Sequence, residues 1–184
     1  MSVVRLLLKD PRVDITPDDN YASRSGHCEM IECLIASGRD LGDIENKKGT
    51  DWWDGKDYTA LEIAREENHT EVVSLLEGFL ANPAQTRHEL RVKLGVLDAL
   101  AAEVFALTVF LCDDLLQLKP TLTTTITASA ASCFFTIASK FPMELQMILC
   151  HRAVGSMKQN ILHQDSEATF KSLATFLHVS SPPN

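Results

Sequence analysis

Several residues in this 184-residue chain have the types that chemistry uses, without the spacing it needs. Cys28 and Cys33 stand beside His27, but a zinc site takes clustered ligands at set intervals and no second ligand pair follows. Asp51, Asp54 and Asp57 recur three apart, whereas a calcium loop takes D-x-D-x-D-G and a closing Glu. Gly55-Lys56 lacks the glycine-rich stretch that cradles a phosphate. Asp113 and Asp114 are adjacent, so they do not converge with each other or with Glu103 as an acid–base pair. His151-Arg152 has no Asp after it, as a kinase catalytic loop would, and there is no nucleophile elbow or dinucleotide loop. The expectation is a protein without catalysis, cofactor or metal.

The residues that do suggest a site suit recognition. Asp51, Trp52, Trp53, Asp54, Lys56, Asp57 and Tyr58 crowd both tryptophans of the chain into one polar loop. Tryptophan is enriched where binding energy concentrates, and its large apolar area is costly to leave in water. One ring packed on the fold and one partly exposed is the expected arrangement.

Elements on both sides must hold that loop. Three segments resemble one another: Val3-Val4-Arg5-Leu6-Leu7-Leu8, then Gly26-His27-Cys28-Glu29-Met30-Ile31-Glu32-Cys33-Leu34-Ile35, then Asn68-His69-Thr70-Glu71-Val72-Val73-Ser74-Leu75-Leu76. The last two share a Gly/Asn-His turn, a Glu two residues on, and aliphatics at helical spacing. Upstream of the third lies Thr59-Ala60-Leu61-Glu62-Ile63-Ala64, where Thr59 and Glu62 predict a capping box.

Thr59, Leu61 and Ala64 match T-P-L-H-x-A, so residues 3–80 resemble the ankyrin repeat, a turn plus two antiparallel helices. Ala60 replaces the Pro and Glu62 the His. The resemblance implies an all-α fold, an ankyrin-type helical solenoid followed by an α-helical C-terminal domain. It also implies that His27 and His69 are structural and that the function is protein–protein interaction or scaffolding. Loops at the position of 40–57 form partner-touching fingers in that family. The aliphatic pairs at 3–4, 30–31 and 72–73 are 27 and 42 apart, against a repeat of about 33. The second unit therefore has little chain for its first helix, and the third has a long loop before it.

Charge divides the chain near Asn82-Pro83. Residues 1–82 hold 9 basic and 17 acidic side chains, while residues 83–184 hold 8 of each. Ankyrin repeats are therefore expected over 1–82 and a helical region over 83–177, with a flexible linker near 120–130 and a disordered tail at 178–184. An acidic first half argues against nucleic acid and favours a basic or amphipathic protein partner. Five cysteines, an odd number without CxxC spacing, suit a reduced, intracellular and specifically cytoplasmic protein. Cys112, Cys133 and Cys150 sit in apolar runs and are expected to be buried. The opening MSVVRLLLKDP lacks the pattern of a signal peptide. The apolar stretch Val96–Cys112 carries Asp98 and Glu103 and is short of a bilayer span, so a core helix is expected and a membrane partner is not.

In the second half, residues 85–118 predict helix with a bend or break at Gly95. Further helices are expected at 130–140, at 143–152 after Pro142, and at 166–177. Phe141-Pro142-Met143-Glu144-Leu145-Gln146-Met147-Ile148-Leu149 is similar to the opening of an F-box, and Leu149-Cys150-His151-Arg152 to part of a SOCS box. That resemblance implies an alternative role, a substrate adaptor of a ubiquitin ligase acting through 141–152. Residues Leu145, Ile148 and Leu149 separate the two readings: buried against 94–111 in a capping role, partly exposed in an adaptor.

Overall fold

The computed structural model describes residues 21–38, 43–50, 55–116 and 126–180, with side chains throughout except at 126–131 and 176–180. The described chain is mostly helical and forms two compact units, Met1–Leu94 and Gly95–Asn184.

Unit 1 contains α1 (Tyr21–Arg24), α2 (Cys28–Ser37), β1 (Gly49–Thr50), β2 (Asp57–Tyr58), α3 (Ala60–Glu66), α4 (Thr70–Ala81) and α5 (Pro83–Lys93). As the short stretch before Gly26 requires, α1 is a single turn. The turns α1–α2 and α3–α4 repeat each other. Gly26 and Asn68 both take positive φ, at 66° and 59°. His27 N–H donates to Ala22 O at 2.9 Å, and His69 N–H to Ala64 O at 2.9 Å. Cys28 N–H donates to Gly26 O at 2.8 Å, and Thr70 N–H to Asn68 O at 3.0 Å. Two turns 42 residues apart thus share one hydrogen-bond pattern, because each must reverse the chain while occupying the same orphan helix-end groups.

The core of unit 1 collects Ile31, Ile35 and Ala36 from α2, Ala64 from α3, Val72, Leu76 and Phe79 from α4, and Leu90 from α5. Each large aliphatic side chain buried there stabilises by about 1.5–3 kcal/mol. The predicted capping box is present: Glu62 N–H donates to Thr59 Oγ1 at 3.2 Å, and Thr59 N–H to Glu62 Oε2 at 2.8 Å. The composition break at Asn82-Pro83 falls inside this unit, where Asn82 caps α5 and Pro83 starts it. Helix α5 packs on α2 and α4 and belongs to the first unit.

Unit 2 contains α6 (Val96–Cys112), α7 (Ile126–Ala138), α8 (Met143–Ala153) and α9 (His163–Ser180). The predicted 85–118 helix is broken at Gly95, whose φ of 67° no continuing helix can adopt. Helix α6 is the centre of the unit, with α8 and α9 packed on it. Leu97, Ala101, Ala102, Phe105 and Ala106 are buried along it, and Phe170 of α9 meets Phe105 edge-on with ring centroids 6.1 Å apart. The apolar run Val96–Cys112 is thus a core helix, and no single helix among the described residues is long and apolar enough to cross a membrane.

Three expectations for this half need correction. Helix α7 begins at Ile126, inside the stretch expected as linker, because alanine offsets the weak helix propensity of Ser and Thr there. Helix α9 runs on to Ser180, into the expected tail, and residues 181–184 lie outside the described residues. Cys112 and Cys133 are exposed although their neighbours are apolar; Cys150 is buried as expected. An apolar run says how much surface wants cover, not which faces receive it.

Candidate partner-binding surface

The expected recognition loop is carried by a β-hairpin in unit 1. Strands β1 and β2 are antiparallel, with Gly49 opposite Tyr58 and Thr50 opposite Asp57. Thr50 Oγ1–H donates to Asp57 Oδ1 at 2.6 Å, locking the two strands by side chain as well as backbone. Below the hairpin, Lys48 Nζ lies 3.9 Å from Glu62 Oε2, which ties it to the first turn of α3. Asp43 accepts from the Asn46 backbone at 3.0 Å and closes the preceding turn.

Of the predicted site residues, Lys56 and Asp57 are exposed and Tyr58 is half-buried. Asp51, Trp52, Trp53 and Asp54 lie outside the described residues. The structure therefore brings Lys56, Asp57 and Tyr58 together at the base of the hairpin, and the expectation of one packed and one exposed tryptophan falls on residues it does not describe.

The turn histidine His69 joins successive helical hairpins. Its Nε2 is 2.8 Å from Arg24 O, so this nitrogen donates to the carbonyl. A Cβ on Gly26 would come within 2.6 Å of the His69 ring, so close approach as well as positive φ calls for glycine there. Arg24 also pairs with Glu67 at 3.4 Å.

Sequence reading did not anticipate the closure made by α5. Arg87 Nε–H donates to Ile35 O at 3.2 Å and Arg91 Nε–H to Ala36 O at 2.8 Å. These carbonyls end α2, where orphan acceptors and the negative end of the helix dipole favour cations. Lys93 adds an ion pair to the mostly buried Glu32, at 2.5 Å. Arg87, Arg91 and Lys93 are spaced along one helix opposite a helix C-terminus that ends in Gly38, a signal visible only once α5 is known to pack there.

Two thiols are held protonated at neutral pH. Burial, then the carboxylates of Glu32 and Glu71, raise the Cys28 thiol above its ordinary value. Burial raises that of Cys150. Neither has the electropositive setting of a reactive thiolate. No cluster of three metal-binding side chains occurs among the described residues. A cavity of about 60 Å³ between α1, α2 and α4 is lined by Ala22, Ile31, Leu34, Ile35 and Leu76, far below the several hundred Å³ of a typical ligand site.

In unit 2, Cys150 and His151 are buried, and Arg152 donates to Ser156 O at 2.7 Å. Of the Leu149-Cys150-His151-Arg152 stretch, Leu149 is half-buried and Arg152 is exposed. The F-box-like opening differs: Phe141, Met143 and Leu145 are 40%, 58% and 44% exposed. Ile148 and Leu149 are half-buried.

Comparison with family models, with curated proteins and with solved structures finds no match for this chain.

Proposed function

We propose that residues 21–94 form an ankyrin-type protein-binding module whose 49–58 hairpin meets the partner. The observation that carries this reading is the turn repeated 42 residues apart, with a hairpin set between the two helical pairs. Repeats that stack in register make a rigid platform, and a finger fixed to it loses little entropy on binding. Trp52 and Trp53 supply the apolar anchors in sequence, and the acidic surroundings favour a basic partner. The partner is a protein in a reducing, cytoplasmic compartment, in keeping with five free cysteines.

The test is quantitative capture of partners by the full chain and by a W52A/W53A variant, with circular dichroism showing that both fold. Proteins enriched by the parent chain should be lost from the variant and should elute with added salt. An unchanged capture profile from the folded variant sinks the hairpin reading.

The exposure of Phe141, Met143 and Leu145 favours a second reading, the ubiquitin-ligase adaptor acting through the start of α8. It predicts that the full chain retains a ligase subunit and that M143E/L145E releases it. Absence of any ligase subunit in the parent capture rejects it.

A further inference from the structure

We infer that Met157 is a site of reversible oxidation by hydrogen peroxide, and that Arg152 captures the resulting sulfoxide and tightens the turn between α8 and α9. This goes beyond the protein-binding reading and concerns the other unit of the chain.

The first observation is exposure. Met157 is 80% exposed, the most open large apolar side chain among the described residues. It stands in the turn after α8, two residues past Gly155, whose φ is 79°. Exposure of the sulfur is what admits a peroxide.

The second is a cation at the sulfur. Arg152 Nη1–H donates to Ser156 O at 2.7 Å, and the same nitrogen lies 3.5 Å from Met157 Sδ. The guanidinium is always charged and its donors form a rigid fork. A thioether is a weak acceptor, so the contact with Sδ is weak while the sulfur is reduced. A sulfoxide oxygen is a strong acceptor, and it forms on the atom that Arg152 already faces. Bonds from an ionised donor are the stronger kind. Met143, 58% exposed at the start of α8, has no cationic donor at its sulfur among the described residues.

The third is what the turn holds. Ser156 N–H donates to His151 O at 2.8 Å, and Lys158 N–H to Ser156 Oγ at 3.3 Å. Lys158 pairs with Asp98 of α6 at 2.6 Å, and Asn160 O accepts from the buried His151 at 3.0 Å. Bonds on both sides of Met157 thus fasten the turn to α8 and α6. A firmer link at Met157 holds Arg152 and Ser156 in place within that set.

The chemistry needs only the peroxide. A sulfur lone pair attacks one peroxide oxygen, the S–O bond forms and the O–O bond breaks. Sulfur gives up two electrons and the peroxide is reduced. The proton on the transferred oxygen passes through solvent to the departing hydroxide, which leaves as water.

The experiment treats the full chain with dilute hydrogen peroxide, maps sulfoxides by mass spectrometry and follows hydrogen exchange. Met157 should be converted ahead of Met143. Exchange over 154–160 should then slow about three- to tenfold, and a methionine sulfoxide reductase should restore it. Met157→Leu keeps an apolar side chain without the sulfur and should show no effect of peroxide over 154–160. Arg152→Ala should still be oxidised at Met157 but without the slowing, which separates the modification from its capture. Conversion of Met143 first, exchange over 154–160 unchanged or faster after oxidation, or the same slowing in either variant overturns the inference.

Discussion

In the first unit, side chains close the ends of helices; in the second, polar side chains are buried inside the helix pack and bond there to backbone. Thr59 and Glu62 seal the start of α3, and Arg87 and Arg91 seal the end of α2. His69 stitches one helical hairpin to the next through Arg24 O. In the second unit, Thr108 spends its hydroxyl on Val104 O, and its contact with Cys150 Sγ is long, at 3.9 Å. His151 lies fully buried with Nε2 donating to Asn160 O at 3.0 Å, which leaves the Nδ1 lone pair without a partner among the described residues. The difference teaches where polar groups add stability. At a helix terminus they satisfy atoms that are orphaned in any case, whereas inside a helix pack they add desolvation that must be offset.

The largest effect expected is from Ile35→Ala, which should destabilise the first unit by about 2–5 kcal/mol through the cavity left in its core. Hydrogen exchange should show α2 and α4 losing protection while α6 keeps it; equal loss in α6 would mean the units do not unfold separately. Next comes Arg91→Ala, expected to cost about 1.5–3 kcal/mol because a charge-assisted bond is lost and the Ala36 carbonyl is left without it. Urea unfolding measures this, and a change near zero would remove α5 from its closing role.

Thr59→Ala should cost about 1 kcal/mol through loss of the cap, read as a shift in thermal midpoint. The same motif gives a pH dependence. The hydrogen bond from the Thr59 backbone, with help from Lys48, holds the Glu62 carboxyl below its ordinary value. A depressed carboxylate stabilises the fold above its unfolded pKa and loses that contribution as pH falls through its folded value. Stability of the first unit should therefore fall on acidification below the usual glutamate range, and Glu62→Gln should flatten that slope; an unaltered slope would show the carboxylate to be idle.

The smallest effect is the most telling for the contrast. His151→Leu removes one satisfied and one unsatisfied nitrogen, and the exposed Asn160 carbonyl can turn to water. The net change should stay within about 1 kcal/mol by denaturant unfolding. A loss as large as that of Arg91→Ala would erase the distinction between the units.

Much of the first unit was legible in advance because its devices are local. The Gly/Asn-His turns, the Thr59–Glu62 box and the α4 helix each lie within a few residues of sequence, and all three stand in the structure. The recognition loop was legible as composition, and the hairpin base at Gly49–Thr50 and Asp57–Tyr58 gives it a frame. Boundaries in the second half were less so. Thr and Ser in 121–132 read as linker on propensity, yet α7 starts at Ile126.

By itself the sequence determined the repeated turns, the helix starts and stops around Thr59, Asn82, Pro142 and Gly95, and the uneven charge, since each follows from backbone preference or counting. Tertiary structure decided that α5 closes the first unit, that α6 is covered while α7 is left open, and that Cys112 and Cys133 face outward. Those outcomes depend on which face of each helix meets a neighbour, and that is set by contacts between residues far apart in the chain.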